Sequence, residues 1–250
     1  MKTRIIAKLE VKHPHVVKPV FFEGLKKIGL PVELAKTYYD QGADELFYVD
    51  IVASLYQRNI LFDEVKRVAN ELFIPFGVGG GVRKIEDFSK LIHMGADKIV
   101  INTFALQENP NIIDNAAKVF GNQSVVLNIE AKKYLDKWVC YSDSGKVSSE
   151  IDVLEWVSEV ERRGAGEIIL QSVDNDGAQL GFDIELSEAV VSLTSIPVVV
   201  CSGAGTLQDI SNLINTAKPS GVALSSVLHH KKYTINDIKD FLTKNSVGGF

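Results

Sequence analysis

Short runs of β-branched and aliphatic residues alternate along this chain with longer stretches whose apolar positions recur at helical spacing. Eight such runs stand at about 4–10, 45–50, 73–78, 97–102, 124–130, 167–172, 196–201 and 221–226. The runs have strand length and the segments between them are amphipathic, the pattern of βα units around a parallel sheet. Helices are marked by Pro31 at a first helical position, by the periodic stretch 61–72, and by Thr234-Ile235-Asn236-Asp237, which has the form of a capping box. Residues 133–150, with Trp138, Tyr141 and Gly145, break the rhythm. They predict an extended excursion or small hairpin ahead of a helix starting near Glu150, an insertion and not a domain boundary.

The pattern also repeats. LEVK at 9–12 returns as IEAK at 129–132, 120 residues on, so Glu10 and Glu130 each end an apolar run. GADELFYVD at 42–50 returns as GAGEIILQSVD at 164–174, and IPFGVGGG at 74–81 returns as IPVVVCSGAG at 196–205, both offset by 122. Four plus four βα units without a second sheet pattern predict one (β/α)₈ barrel domain over 1–250, with half-barrels of about 1–120 and 121–250. In that fold chemistry sits at the strand C-terminal ends, so both glutamates are expected at one mouth.

Composition narrows the picture. With 46% hydrophobic and 24% charged residues the chain has material for a large core, and disorder is not expected. A net charge of −5 without a Lys/Arg run argues against a nucleic-acid footprint. No apolar stretch has the length of a membrane span, the first residues do not read as a signal peptide, and Cys140 and Cys201 are the only cysteines. A soluble, reducing, cytoplasmic setting is expected.

Further polar residues fall at the predicted strand ends. Asp50 closes the second run, Gly79–Gly81 follow the third, and Asn102-Thr103 the fourth; Asp174, Asp176 and Gly177 follow the sixth, Gly203 and Gly205 the seventh, and Ser225-Ser226 the eighth. One glycine-rich loop can serve only a tight turn, whereas matched loops in both halves, feeding helix N-termini beside hydroxyl residues, suggest two phosphate cradles. At the opposite end, Arg4, Glu45, Lys98 and Glu167 begin their runs. Such charges commonly form a solvated rim or structural ion pairs, yet alternating signs around one axis also describe a ring able to gate a barrel. His13/His15 and His229/His230 lack neighbouring acidic or cysteine ligands, so no metal site is expected, and no cofactor. Cys201 has no histidine placed to activate it, and it reads as packing, as do Trp138 and Trp156.

The chain resembles the cyclase subunit of imidazole glycerol phosphate synthase, which takes ammonia from a partner glutaminase in histidine biosynthesis. The resemblance is carried by RIIAKLEVK, VVK at 16–18, GADELFYVDIVAS at 42–54, VGGGV at 78–82, GADKIVINT at 95–103, NIEAKK at 128–133, GAGEIILQSVDNDG at 164–177, GAG at 203–205 and YTINDIKDFL near the end. It implies an acid–base pair at Glu10 and Glu130, where the family has aspartates. It implies that a linear double-phosphate ribosyl substrate is held by Gly81, Asn102 and Thr103 at one end and by Asp176, Gly177, Gly203, Ser225 and Ser226 at the other, with Asp50 also in the site. Lys18 matches a mobile-loop lysine that closes over the substrate. Arg4, Glu45, Lys98 and Glu167 match an ammonia gate facing a glutaminase docked at the barrel bottom.

The mouth departs from that pattern. A carboxylate on one extra methylene reaches about 1 Å further, and misplacement on that scale costs on the order of 100-fold in rate. The loop Lys12-His13-Pro14-His15-Val16-Val17-Lys18-Pro19 carries prolines where the family has glycines, which stiffens a segment expected to open and close. Val52, Gly77, Gln171, Ala178 and Cys201-Ser202 are further departures. The leading expectation is therefore a diverged paralogue that still pairs with a glutaminase and conducts ammonia. It would supply a different acceptor, such as a nucleotide-linked sugar amidated by a separate amidotransferase for bacterial surface polysaccharide. The alternative is an authentic cyclase whose glutamates perform proton transfer. A sugar isomerase, which needs no ammonia gate, is a weaker reading, and a partner subunit without chemistry of its own is the non-enzyme version of the first.

Overall fold

The computed structural model of the chain describes residues 2–21, 23–53, 56 and 61–247; Ser54, the last residue of the 42–54 motif, lies outside them. Its strands are β1 (Arg4–Lys12), β2 (His15–Val20), β3 (Glu23–Gly29), β4 (Glu45–Asp50), β5 (Phe76–Gly79), β6 (Lys98–Ile101), β7 (Val125–Tyr134), β8 (Lys137–Ser142), β9 (Val147–Asp152), β10 (Glu167–Ser172), β11 (Val198–Cys201) and β12 (Gly221–Leu224). The helices are α1 (Pro31–Asp40), α2 (Phe62–Ala69), α3 (Ile85–His93), α4 (Asn111–Phe120), α5 (Val153–Arg162), α6 (Ile184–Leu193), α7 (Leu207–Thr216), α8 (Ser226–His229) and α9 (Ile235–Lys244). β1, β4, β5, β6, β7, β10, β11 and β12 pair in parallel in sequence order, and β12 closes on β1, so the chain is a (β/α)₈ barrel. Among the described residues no helix is long and apolar enough to cross a membrane.

The two halves match in register. Ile6 pairs with Glu45 as Val126 pairs with Glu167, and Leu46 pairs with Phe76 as Ile168 pairs with Val198. Strand alternation then sorts side chains into two cores. Ile5, Ala7 and Leu9 of β1 face the helices, while Ile6 joins Phe47, Val100, Val126, Ile169 and Val199 inside the barrel. The inward face of β1 reads Arg4, Ile6, Lys8, Glu10, which gives the barrel a charged floor, an apolar layer and a polar mouth. Phe47, fully buried, fills space left by Gly77, where a Cβ would lie 2.3 Å from the phenyl ring.

Some elements differ from expectation. The third and seventh runs become strands only at Phe76 and Val198, after Pro75 and Pro197, whose carbonyls accept from Leu46 and Ile168; Phe73, ahead of this entrance, is 85% exposed. The eighth strand ends at Leu224, and Ser226 already opens α8. The excursion after Glu130 is a pair of antiparallel strands, β8 and β9, and α5 starts at Val153 under a cap from the Asp152 carboxylate, which accepts from the Leu154 and Glu155 N–H groups. The segment expected as a mobile loop around Lys18 is strand β2, paired with both β1 and β3. The strands that carry Glu10 and Glu130, β1 and β7, thus each lead directly into an antiparallel excursion. The α9 start is a capping box as expected, with Thr234 accepting from the Asp237 N–H.

Candidate active site

Glu10 and Glu130 sit at matching places near the ends of inward-facing strand stretches, both buried, at 1% and 6% exposure. Their surroundings are opposite in character. β2 brings Lys18 over Glu10, and its Nζ donates to Glu10 Oε2 at 2.6 Å and to Asp176 Oδ1 at 3.0 Å. Lys8 Nζ approaches Glu10 Oε1 from inside the barrel at 3.5 Å. The excursion is seated by the Phe21 N–H, which donates to the Asp176 carbonyl at 2.7 Å, and by Gly177, whose left-handed φ of 69° and missing Cβ let Pro19 pass. Burial alone would raise the Glu10 pKa, but the ammonium groups of Lys18 and Lys8 outweigh it and hold the carboxyl down at about 2.

Glu130 meets neutral donors instead. The β8–β9 turn folds back so that the Gly145 N–H donates to Glu130 Oε2 at 2.7 Å, and Asn128 Nδ2 lies 3.4 Å from Oε1. Burial dominates here; the Gly145 and Asn102 hydrogen bonds and Lys8 pull the other way without cancelling it, and the pKa is pushed up to about 7. At neutral pH one carboxylate is a fixed anion and the other exchanges its proton readily. Such a divergence is how paired carboxyls take separate acid–base roles.

Most of the other strand-end residues singled out from the sequence line two cavities flanking the axis; Gly79, Asp174 and Gly205 line neither, and the Asp174 carboxylate instead accepts from the Lys133 N–H at 2.8 Å. Asp50, Gly81, Asn102 and Thr103 line the first, together with Glu130. Lys18, Asp176, Gly177, Gly203, Ser225 and Ser226 line the second, together with Glu10. The Asp50 carboxylate accepts from the Val52 N–H at 3.2 Å, and Thr103 Oγ1 accepts from the Asp143 N–H at 3.2 Å, which pins the β8–β9 turn over the first cavity. In the second, Ser225 Oγ donates to the Lys8 carbonyl at 2.9 Å. Gly203, at φ 109°, passes so close to Gly181 that a Cβ would lie 2.1 Å from its carbonyl oxygen. Ser202 takes up a φ of 76° next to it and turns its hydroxyl to Asp176 at 3.3 Å, so this departure adds a strained residue to the cavity wall.

At the floor, Arg4, Glu45, Lys98 and Glu167 form a closed ring of alternating charge. Arg4 pairs with both glutamates, and Lys98 Nζ lies 2.6 Å from Glu45 Oε1 and 2.7 Å from Glu167 Oε2. The glutamates are buried and the cations partly exposed, so the positive side faces solvent.

The sequence reading missed Lys8 and Gly145. Lys8 shares the inward parity of Arg4, Ile6 and Glu10, a signal present in the strand alternation; nothing in the sequence placed the Gly145 N–H on Glu130. Of the histidines, His13 Nδ1 lies 3.1 Å from Glu64 Oε2, which also accepts from the Tyr48 hydroxyl, fastening the β1–β2 turn to α2. His229 pairs through Nδ1 with the Tyr38 hydroxyl at 2.7 Å, and burial pushes its pKa down to about 4. Among the described residues no three His, Cys, Asp or Glu side chains are grouped to hold a metal ion. Cys201 is buried, its thiol donating to the Leu170 carbonyl at 3.4 Å, and Trp138 and Trp156 pack in the core.

Comparison with known proteins agrees with this architecture. The histidine biosynthesis protein family matches residues 4–234. The chain belongs to this family. It is 44% identical to imidazole glycerol phosphate synthase subunit HisF of Prochlorococcus marinus (strain MIT 9312) over 98% of this chain and 96% of that protein. The HisF subunit of Thermococcus onnurineus (strain NA1) is 41% identical over 98% of this chain and 96% of its own length, and that of Campylobacter concisus (strain 13826) 44% over the same shares. Similarity at this level over the whole barrel places the chain among HisF-like proteins.

Proposed function

We propose that the chain is the synthase subunit of an imidazole glycerol phosphate synthase, closing an imidazole ring with ammonia delivered by a glutaminase docked at the barrel floor. The observation that carries this is the opposite tuning of Glu10 and Glu130 at one mouth, above a closed ring of charges. Glu130, with a pKa of about 7, accepts and returns protons at neutral pH. Glu10, with a pKa of about 2, stays ionised and stabilises positive charge that develops on nitrogen. The two cavities give a substrate with a phosphate at each end room on either side of the axis. The names of the relatives support this reading ahead of a diverged paralogue, reversing the order that the departures at the mouth suggested.

One observation keeps the paralogue reading in play. Lys18, matched to a lysine that closes over substrate, is fully engaged with Glu10 and Asp176, so the charges of Lys18 and Lys8 in the second cavity are already offset by two carboxylates where an anion would bind. Under that reading the ammonia serves a different acceptor, a sugar amidated by a separate enzyme.

The test supplies the purified chain with the linear double-phosphate ribosyl intermediate and excess ammonium salt. Ring formation at an enzymatic rate supports the synthase, and its absence transfers the case to the second reading. With the glutaminase added, Lys98→Glu is expected to depress glutamine-driven turnover and leave ammonium-driven turnover in place. Equal loss of both would return the floor ring to a structural role.

A further inference from the structure

A lysine stands on the barrel axis that no part of the proposed proton transfer uses. Lys8 is 3% exposed, lies one inward position above the apolar layer at Ile6, and lines both cavities; among the described residues Gln171 alone shares that placement. A substrate reaching from one cavity to the other crosses these two side chains. Buried lysines are rare unless paired, and the pairing of Lys8 is incomplete. Its Nζ has three donors, of which one meets Gln171 Oε1 at 2.7 Å, while Glu10 Oε1 stands off at 3.5 Å. Lys18, by contrast, holds two carboxylates at 2.6 and 3.0 Å. Burial opposes the charge on Lys8, while the Glu10 and Asp176 carboxylates favour it, and the net effect holds the amine's pKa above its ordinary value.

We propose that Lys8 is a further catalytic residue, whose ammonium group holds the oxygen of an acceptor carbonyl while ammonia adds to the carbonyl carbon. This rests on the reading of the chain as an ammonia-using synthase. Ammonia that has crossed the apolar layer emerges beside Lys8, on the side where the carbonyl carbon would lie. Its lone pair forms the C–N bond as the C=O π pair moves onto oxygen, where the Lys8 N–H stabilises the growing negative charge. A proton from nitrogen passes to the Glu130 carboxylate in the same cavity and on to that oxygen, giving a carbinolamine. Transfer of a second proton by the same route expels the hydroxyl as water and leaves an imine, so carbonyl plus ammonia becomes imine plus water.

The assignment is tested by binding, apart from turnover, with ribulose 5-phosphate and ribitol 5-phosphate as probes that differ in the carbonyl. A hydrogen bond from a charged donor predicts that the intact chain binds the ketose about tenfold or more tighter. Lys8→Met is expected to erase the preference, and if that variant fails to fold the preference of the intact chain decides alone. Equal affinity, or no binding of either probe, overturns the assignment. With the double-phosphate intermediate and ammonium, Lys8→Met is expected to lower kcat by about 100-fold, the share of the contact that strengthens as charge grows on oxygen, and to raise KM by about tenfold, the ground-state share that the two probes read. If Lys8 served only as counter-ion to Glu10, the acid limb of the pH profile would move and the plateau kcat would stand. Discrimination by an intact chain that forms no ring would leave Lys8 in place and remove the synthase reading.

Discussion

The two halves of the barrel place the same residue at the same point of the same strand and give it opposite chemistry. Glu10 lies under the lysine of the β2–β3 excursion, and Glu130 under the backbone amide of the β8–β9 turn. Cations hold the first carboxyl at about 2, and burial among neutral donors lifts the second to about 7. The matching registers supply position, and the excursions supply function. The strands add to the contrast, since β1 carries Lys8 two residues before Glu10 where β7 carries Asn128 two residues before Glu130.

The largest expected effect tests the side of the comparison that moves protons. Glu130→Gln keeps the shape and removes proton exchange, so turnover with ammonium is expected to fall by about 10³-fold, within the range for a lost general acid–base. Glu10→Gln would then not copy its effect on the pH profile. Next is the cationic side. Lys18→Met leaves Glu10 and Asp176 as neighbouring buried carboxylates with only Lys8 between them. Breaking a buried pair in this way costs about 3–5 kcal/mol, readable by denaturant unfolding at pH 7.5. Lys18→Met with Asp176→Asn is expected to recover part of that loss.

A smaller effect is the pH dependence of stability. The folded state keeps the Glu130 proton up to about 7, whereas the unfolded chain releases it near 4.5. The stability from this group is therefore full below 4.5 and lost as pH rises through 7. The loss is on the order of 3 kcal/mol, and Glu130→Gln is expected to flatten it. Glu10 works the other way, contributing stability above its unfolded value of 4.5 that is lost as pH falls through about 2. A Glu130→Gln chain with the same slope as the parent between pH 5 and 8 would break the contrast between the halves.

Much of this was legible in the sequence because it depends on period and repeat. The barrel, its closure, the floor ring and the gathering of Asp50, Gly81, Asn102 and Thr103 in one cavity and Asp176, Gly177, Gly203, Ser225 and Ser226 in the other follow from strand order and the parity of side chains. The excursions were less legible. Trp138 and Tyr141 marked the second, but residues 12–19 read as a mobile loop, since the pairing of β2 depends on Val16 and Val17 burying against the barrel and not on a turn signal. The Gly145 contact belongs to the backbone, so no side-chain pattern announces it. Nor does a sequence reveal that Lys18 finds two carboxylates, since Asp176 lies 158 residues away and meets it only after the barrel closes.

The central claim is the split between the two carboxyls, and the most direct measurement is a pH titration of the side-chain carboxyl carbons of Glu10 and Glu130 by NMR, each assigned by its Gln variant. The structure predicts that Glu130 titrates near 7 and that Glu10 stays ionised down to about 2. Two midpoints together near the ordinary glutamate value, or Glu10 the higher of the two, would contradict it.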